Sequence, residues 1–163
     1  NIAIIEREGL VLSVTEMVSL FLSRQLLAPL TGTQFGDGLV TALDKIHALL
    51  PKKALHYFAD LDDTLLVKNL AQPDYSRQGK EVHILNEAIA ERRVLKIHYL
   101  SARLGKLCDW TLHPYGLVLF GMNLYCIGHV EQEGQTRVLK VIRIQGVETT
   151  ARTFRRPEGF SLS

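Results

Sequence analysis

The spacing of apolar residues divides the chain into a helical part and a strand-rich part. The first dozen residues are typical of a strand, a turn and a second short strand. Helical spacing then predicts helices from residue 14 to about residue 28, from 37 to 50 and from 80 to 92. From Val94 onward apolar residues alternate with polar ones, which predicts strands.

The first helix carries both a start signal and a stop signal. Ser13 and Glu16 have the spacing of a capping box, in which each side chain bonds the backbone amide of the other residue. Pro29 cannot continue a helix, because it lacks an amide hydrogen and clashes with the preceding turn. The second helix meets the same kind of stop at Pro51.

The strand-rich part contains five short segments separated by tight turns or by Pro114. Five such strands favour a small antiparallel barrel of the SH3 or Sm kind, since closure removes exposed strand edges. The predicted fold class is therefore α+β, with a helical segment followed by a five-stranded antiparallel β-barrel. The predicted strands cover residues 94–100, 107–113, 115–120, 124–131 and 137–144.

A linker signal at residues 72–76 places the predicted domain boundary after residue 76. Residues 1–76 are predicted to be a helical interdomain segment, 77–152 the barrel, and 153–163 the start of a connector. The net charge differs between the halves: residues 1–76 carry −3 and residues 77–163 carry +5. The basic half suits an anionic partner.

Composition narrows the class of protein. Hydrophobic residues make up 47% of the chain and charged residues 22%, which is typical of a globular protein and excludes a disordered or membrane-spanning one. Two cysteines cannot form a disulfide framework, so we expect buried free thiols and a cytoplasmic location. The absence of an initiating Met leads us to expect a piece of a longer protein.

Two metal-dependent readings have little support in the sequence. Asp60 and Asp62 have the spacing of the first motif of haloacid-dehalogenase-type phosphatases, in which one Asp is the nucleophile and the other the acid/base. The later acidic pair that would complete a Mg²⁺ site does not follow. Cys108 and Cys126 lack zinc-ligand spacing. We therefore expect no catalytic residues, no metal and no cofactor.

Strand alternation predicts an anion site instead. Tyr99 and Ser101 share one side of their strand, and Arg137 and Arg143 share one side of theirs, whereas Lys140 points the other way. Guanidinium groups can fork onto a phosphate, and hydroxyl groups can add hydrogen bonds. With His113 at the same rim, these side chains would form a compact anion site.

The strand-rich part resembles the WYL domain of bacterial transcription regulators. The matching segments are residues 88–99, 113–118, 123–128 and 137–144, in the family's order, followed by a connector with Phe154 and Phe160. Of the name-giving Trp-Tyr-Leu only Tyr125 is kept, since Leu124 and Cys126 replace its neighbours.

The resemblance implies a non-enzymatic sensor that binds a nucleotide or short single-stranded nucleic acid. It also implies a homodimer that contacts DNA through a winged helix outside these residues. The alternatives are a small-barrel RNA-binding or assembly module and, with far less support, a haloacid-dehalogenase-like phosphatase that uses Asp60 and Asp62. By position, the resemblance assigns ligand binding to Tyr99, Ser101, His113, Tyr125, Arg137, Lys140 and Arg143.

Overall fold

The computed structural model of the 163-residue chain describes residues 3–7, 10–50 and 73–162. The chain forms two compact units. The first comprises residues 1–31 and 35–71, and the second comprises residues 32–34 and 72–163. The acidic segment with Asp60 and Asp62 lies outside the described residues.

The first unit begins with the predicted pair of short strands. Strand β1 (Ala3–Arg7) pairs antiparallel with β2 (Leu10–Ser13), which leads directly into helix α1 (Val14–Leu26). The capping box is confirmed: the Glu16 amide donates to Ser13 Oγ over 3.3 Å, and the Ser13 amide donates to Glu16 Oε2 over 2.7 Å.

Helix α2 (Gln34–Ala48) starts earlier than predicted. The core of the first unit joins Met17 and Phe21 of α1 to Leu50, with Ile46 of α2 packed against them. Among the described helices, none is long and apolar enough to cross a membrane.

The second unit packs helix α3 (Gly79–Glu91) against an antiparallel sheet. The face of α3 with Val82, Leu85 and Ala88 is buried, as the sequence predicts. Arg92 adopts a left-handed conformation (φ 58°) and ends the helix, so that the chain can turn into the first strand. The five strands are β3 (Arg93–Ser101), β4 (Lys106–Phe120), β5 (Asn123–Val130), β6 (Gln135–Lys140) and β7 (Ile144–Thr153).

The sheet corrects the predicted barrel. Its spatial order is β6-β5-β4-β3-β7, and within the described residues no ladder joins the outer strands β6 and β7. The chain passes between these two edges through a single 3₁₀ turn, Val141–Arg143. The number of strands and their antiparallel pairing are as predicted, but the sheet is open.

Two strand boundaries also differ from the prediction. Pro114 does not divide β4, because the ladder between β3 and β4 ends at Leu112. Proline lacks an amide hydrogen, but no ladder hydrogen bond to β3 is lost at Pro114, because β3 no longer pairs there. On the other side of β4, the register with β5 shifts between Pro114 and Gly116. The fifth strand is instead β7, whose side chains are mostly polar and exposed, so that no alternation marks it in the sequence.

Candidate anion-binding cavity

The cavity begins where two aromatic side chains meet on the buried face of the sheet. Alternation along β3 puts Ile97, Tyr99 and Ser101 on this face, and alternation along β4 puts Trp110 there opposite Ile97. Tyr99 and Trp110 are therefore diagonal neighbours, and their rings stack with centroids 5.1 Å apart and planes inclined by 21°. The pair gives one end of the sheet a rigid aromatic floor.

An open cavity of about 230 Å³ lies over this floor. Its charged lining comprises three guanidinium groups and one carboxylate, an excess of positive charge in a concave site. Such a site favours a bound anion, since the walls reduce solvent screening. The lining residues are Tyr99, Ser101, Ala102, Arg103, Trp110, Glu133, Arg137, Val138, Leu139 and Arg143.

Glu133 is the carboxylate, and two of the guanidinium groups hold it. Arg103 Nη2 donates to Glu133 Oε1 over 2.6 Å, and Arg137 Nε donates to Glu133 Oε2. The Glu133 side chain is only 13% exposed. Burial alone would raise the pKa of Glu133, but the hydrogen bonds and charges of Arg137 and Arg103 outweigh it and hold the pKa below its usual value. Glu133 is therefore ionised at neutral pH.

Arg143 is the third guanidinium and differs from the other two. It lies on the 3₁₀ turn between β6 and β7, half-buried at the cavity wall. No ion pair or hydrogen bond joins its guanidinium to the part of the chain that the structure describes. The backbone just before this turn is fixed by a bond of 3.3 Å from the Lys140 amide to the Tyr99 hydroxyl. The cavity thus presents one uncompensated cation in a defined position.

The structure brings four of the predicted site residues together in this cavity: Tyr99, Ser101, Arg137 and Arg143. Ser101 is buried, and its hydroxyl accepts a bond of 3.3 Å from the Leu104 amide in the turn after β3. The hydroxyl keeps its own proton to donate. Arg143 lies on the 3₁₀ turn and not on the continuous strand that the sequence predicts for residues 137–144.

Tyr125 and Lys140 do not line the cavity. They are direct cross-strand partners, and Lys140 Nζ lies 5.8 Å from the centre of the Tyr125 ring. Lys140 Nζ also lies 3.5 Å from Asn123 Oδ1. Their neighbours Cys126 and Leu139 are buried, so strand alternation turns Tyr125 and Lys140 to the opposite face.

His113 belongs to a separate polar cluster. Its Nε2 atom lies 2.8 Å from Glu131 Oε1, and Arg152 Nη2 donates to the same oxygen over 2.6 Å. The Arg152 bond, followed by the His113 bond, lowers the pKa of Glu131 to about 2. The His113 ring stacks on Phe154 with centroids 5.3 Å apart. His113 therefore already has partners away from the cavity.

Sequence reasoning missed Arg103, Trp110 and Glu133 as lining residues. Trp110 shares the alternation of Cys108 and Leu112, which would have placed it beside Tyr99. Arg103 and Glu133 lie in turns, where no periodicity indicates a direction. The spacing of Glu133 and Arg137, four residues apart in sequence, is the one available signal.

A larger cavity on the other face is a weaker candidate. It measures about 420 Å³ and shares Trp110 with the smaller cavity. Its other lining residues are Lys96, Ile97, His98, Asp109, Thr111, Gln132 and Glu148. Its lining has one lysine, Lys96, and two carboxylates, Asp109 and Glu148. His98 Nδ1 bonds Asp109 Oδ1, and Lys96 lies opposite Glu148 in the β3–β7 ladder. It therefore lacks the excess positive charge of the smaller cavity.

The described residues offer no metal site. Among them, no three side chains of His, Cys, Asp or Glu converge as ligands would. Cys108 and Cys126 are free and buried, as the sequence predicts. Burial raises the pKa of Cys126 to about 12, so its thiol is protonated and is a poor metal ligand.

Comparison with known proteins identifies the strand-rich segment. No curated protein matches the sequence. One solved structure that resembles the chain is the Proteasome accessory factor B/C (PafBC) of Arthrobacter aurescens, with 18% identity and a TM-score of 0.46. The likeness covers 88% of this chain but only 21% of that one, so this chain spans about a fifth of that chain's length. Residues 81–149, which include every residue lining the cavity, match the family model of the WYL domain. This match confirms the resemblance to the WYL domain that the sequence motifs indicate.

Proposed function

We propose that this chain is the effector-sensing part of a bacterial transcription regulator and that its effector is an anionic aromatic molecule bound in the Arg-lined cavity. The supporting observation is the excess of guanidinium groups over the Tyr99–Trp110 floor. Among the described residues, Arg143 has no ion-pair partner. Arginine forks match phosphate oxygens, and an aromatic floor suits a nucleobase. Nucleotides and short single-stranded nucleic acids share this chemistry.

The proposal extends to the partners and to the mode of regulation. The regulator would be a cytoplasmic homodimer that contacts DNA through a winged helix in another part of the full-length protein. Ligand binding regulates such a protein only if the ligand prefers one of its arrangements over the other. The WYL-domain match supports a sensing rather than a catalytic role.

The binding proposal is tested by titration of the intact chain with AMP, adenosine and a 5′-phosphorylated thymidine tetramer. Trp110 is the only tryptophan of the chain, so its fluorescence reports binding without labelling. Because Trp110 also lines the larger cavity, the arginine variants below are needed to assign the signal to the Arg-lined cavity. We expect AMP to bind, adenosine to bind far more weakly, and added salt to weaken AMP binding. AMP binding that is unchanged in an Arg137→Ala/Arg143→Ala double variant would exclude this site.

A small RNA-binding or assembly module is the alternative function. The open edge of β6 and the exposed apolar side chains Phe120 and Val138, which are 73% and 62% exposed, favour it. The tetramer distinguishes the two readings. A module that binds along a nucleic-acid strand should bind the tetramer and not AMP. An effector cavity should bind both ligands through one phosphate group.

A further inference from the structure

Glu133 occupies the place in the cavity where a ligand's anionic group would be held. Its two carboxylate oxygens accept from two different guanidinium groups, Oε1 from Arg103 and Oε2 from Arg137. A phosphate or carboxylate bound by these arginines needs charge-assisted bonds of the same kind. An incoming anion therefore competes with Glu133 for the Arg103 Nη2 and Arg137 Nε donors.

From this geometry we infer that Glu133 is an internal competitor that the ligand must displace, so that the cavity selects anions with more than one negative charge. The inference rests on the proposed function, since it concerns the same cavity. A singly charged group that replaces a carboxylate exchanges one set of charge-assisted bonds for an equivalent set. It gains only the contact with Arg143.

A phosphate monoester carries more negative charge and more acceptor oxygens than a carboxylate. It carries a charge of about −1.5 to −2 at pH 7 and three acceptor oxygens, whereas a phosphodiester carries a single charge. Three oxygens can engage Arg103, Arg137 and Arg143 together. The favoured ligand class is therefore an aromatic phosphate monoester, such as a mononucleotide or the phosphorylated end of a short strand.

We expect displacement of Glu133 to affect the sheet through the 3₁₀ turn to which Glu133 belongs. Glu133 ends a 3₁₀ turn, Glu131–Glu133, in which each residue bonds a different neighbour. Glu131 binds Arg152 and His113, and Gln132 Oε1 accepts from the Thr111 amide over 2.8 Å. Because the three residues are consecutive, we expect the release of Glu133 to alter the bond between Glu131 and Arg152. Arg152 lies at the end of β7, where the chain leaves the sheet.

The test compares wild type, Glu133→Gln and Glu148→Gln by Trp110 fluorescence at one ionic strength. The probes are AMP, a phosphate monoester, and cyclic AMP, a diester with the same base. Wild type should prefer AMP, and Glu133→Gln should bind cyclic AMP about tenfold more tightly than wild type does. Glu148→Gln removes the same charge from the opposite face and should leave both affinities unchanged.

Each outcome bears on the proposal. Cyclic AMP binding that is unchanged or weakened by Glu133→Gln, while wild type still binds AMP, overturns the competitor role alone. Absence of AMP and cyclic AMP binding to every variant overturns the proposed function and the competitor role together. Thermal unfolding and a second variant, Glu133→Ala, show whether a weakened variant is misfolded; a folded Glu133→Ala must also tighten cyclic AMP binding.

The tether is tested by the imidazole resonances of His113 in the wild-type chain. Addition of AMP should shift them, because the Glu131–Glu133 turn moves when Glu133 is released. His98, which bonds Asp109 on the opposite face, serves as the internal control and should not shift. AMP binding that leaves the resonances of His113 unchanged overturns the route through the turn.

Discussion

Tyr99 and Trp110 stack on neighbouring strands, with ring centroids 5.1 Å apart and planes inclined by 21°. The Tyr99 hydroxyl also accepts a hydrogen bond from the Lys140 amide. Lys140 directly precedes the 3₁₀ turn that carries Arg143. The Tyr99 side chain thus links the aromatic floor to the backbone that places the Arg143 guanidinium.

Arg143→Gln should weaken AMP binding about tenfold, since a hydrogen bond to a charged group contributes about 1.5–3 kcal/mol and the site is partly exposed. Arg155→Gln is the matched control, because this exposed residue lies in the connector after β7. Calorimetric titration of both variants measures the difference. Equal affinities for the two variants would remove Arg143 from the site.

Tyr75→Phe should lower the free energy of unfolding by about 1–3 kcal/mol, because it leaves a buried amide without its acceptor. Tyr75 is fully buried, and its hydroxyl accepts from the Leu124 amide over 2.7 Å. The same burial raises the pKa of Tyr75. Tyr125→Phe, in which the half-exposed hydroxyl is lost, should change stability by less than about 0.5 kcal/mol. Urea unfolding of both variants checks the contrast.

The Glu131 cluster predicts a pH dependence of stability. The bonds from Arg152 and His113 hold the pKa of Glu131 at about 2, below its ordinary value of 4.5. A depressed pKa means that the contribution to stability is complete above pH 4.5 and is lost as the pH falls towards 2. Glu131→Gln should lack that part of the decline, and Arg152→Gln should reduce it. Unfolding curves with the same slope in this window for all three proteins would contradict the assignment.

Gly128→Ala should destabilise the sheet by about 1–3 kcal/mol, because the chain approaches closely at the irregular pairing around Pro114. A Cβ at Gly128 would lie 2.5 Å from the His113 carbonyl oxygen, which is backbone and cannot rotate away. Gly38→Ala is the contrasting variant. Gly38 lies in α2 with open space around it, and Ala there should stabilise the helix by about 1 kcal/mol. Thermal unfolding distinguishes the two signs.

Local patterns predicted those parts of the fold that local interactions decide. The capping box at Ser13 and the buried face of α3 follow from sequence spacing alone. The continuity of β4 through Pro114 does not, since it depends on where β3 stops pairing. Strand β7 was not predicted, because its side chains are mostly exposed and show no alternation. The open sheet was not predicted either, because the sequence pattern of a strand does not show whether the two edge strands pair.

In the candidate site too, residues on strands could be predicted from local patterns, whereas most residues in turns could not. Alternation placed Tyr99 and Ser101 on one face and indicated that Lys140 points away from Arg137. Arg103 could not be predicted, because turns have no periodicity and its partner Glu133 lies far away in sequence. For Glu133 the one signal was its spacing of four residues from Arg137. His113 does not line the cavity and instead bonds Glu131, a partner that only the folded sheet brings near.

The central claim is that the Arg-lined face, and not the Tyr125–Lys140 face, binds an aromatic anion. The most direct measurement is a titration of the ¹⁵N-labelled chain with AMP, followed through its backbone amide resonances. The account predicts that the largest shifts fall within residues 99–103 and 133–143, with saturation and with loss of the effect in Arg143→Gln. Shifts concentrated around Tyr125 and Asn123, or no saturable shifts at all, would contradict it.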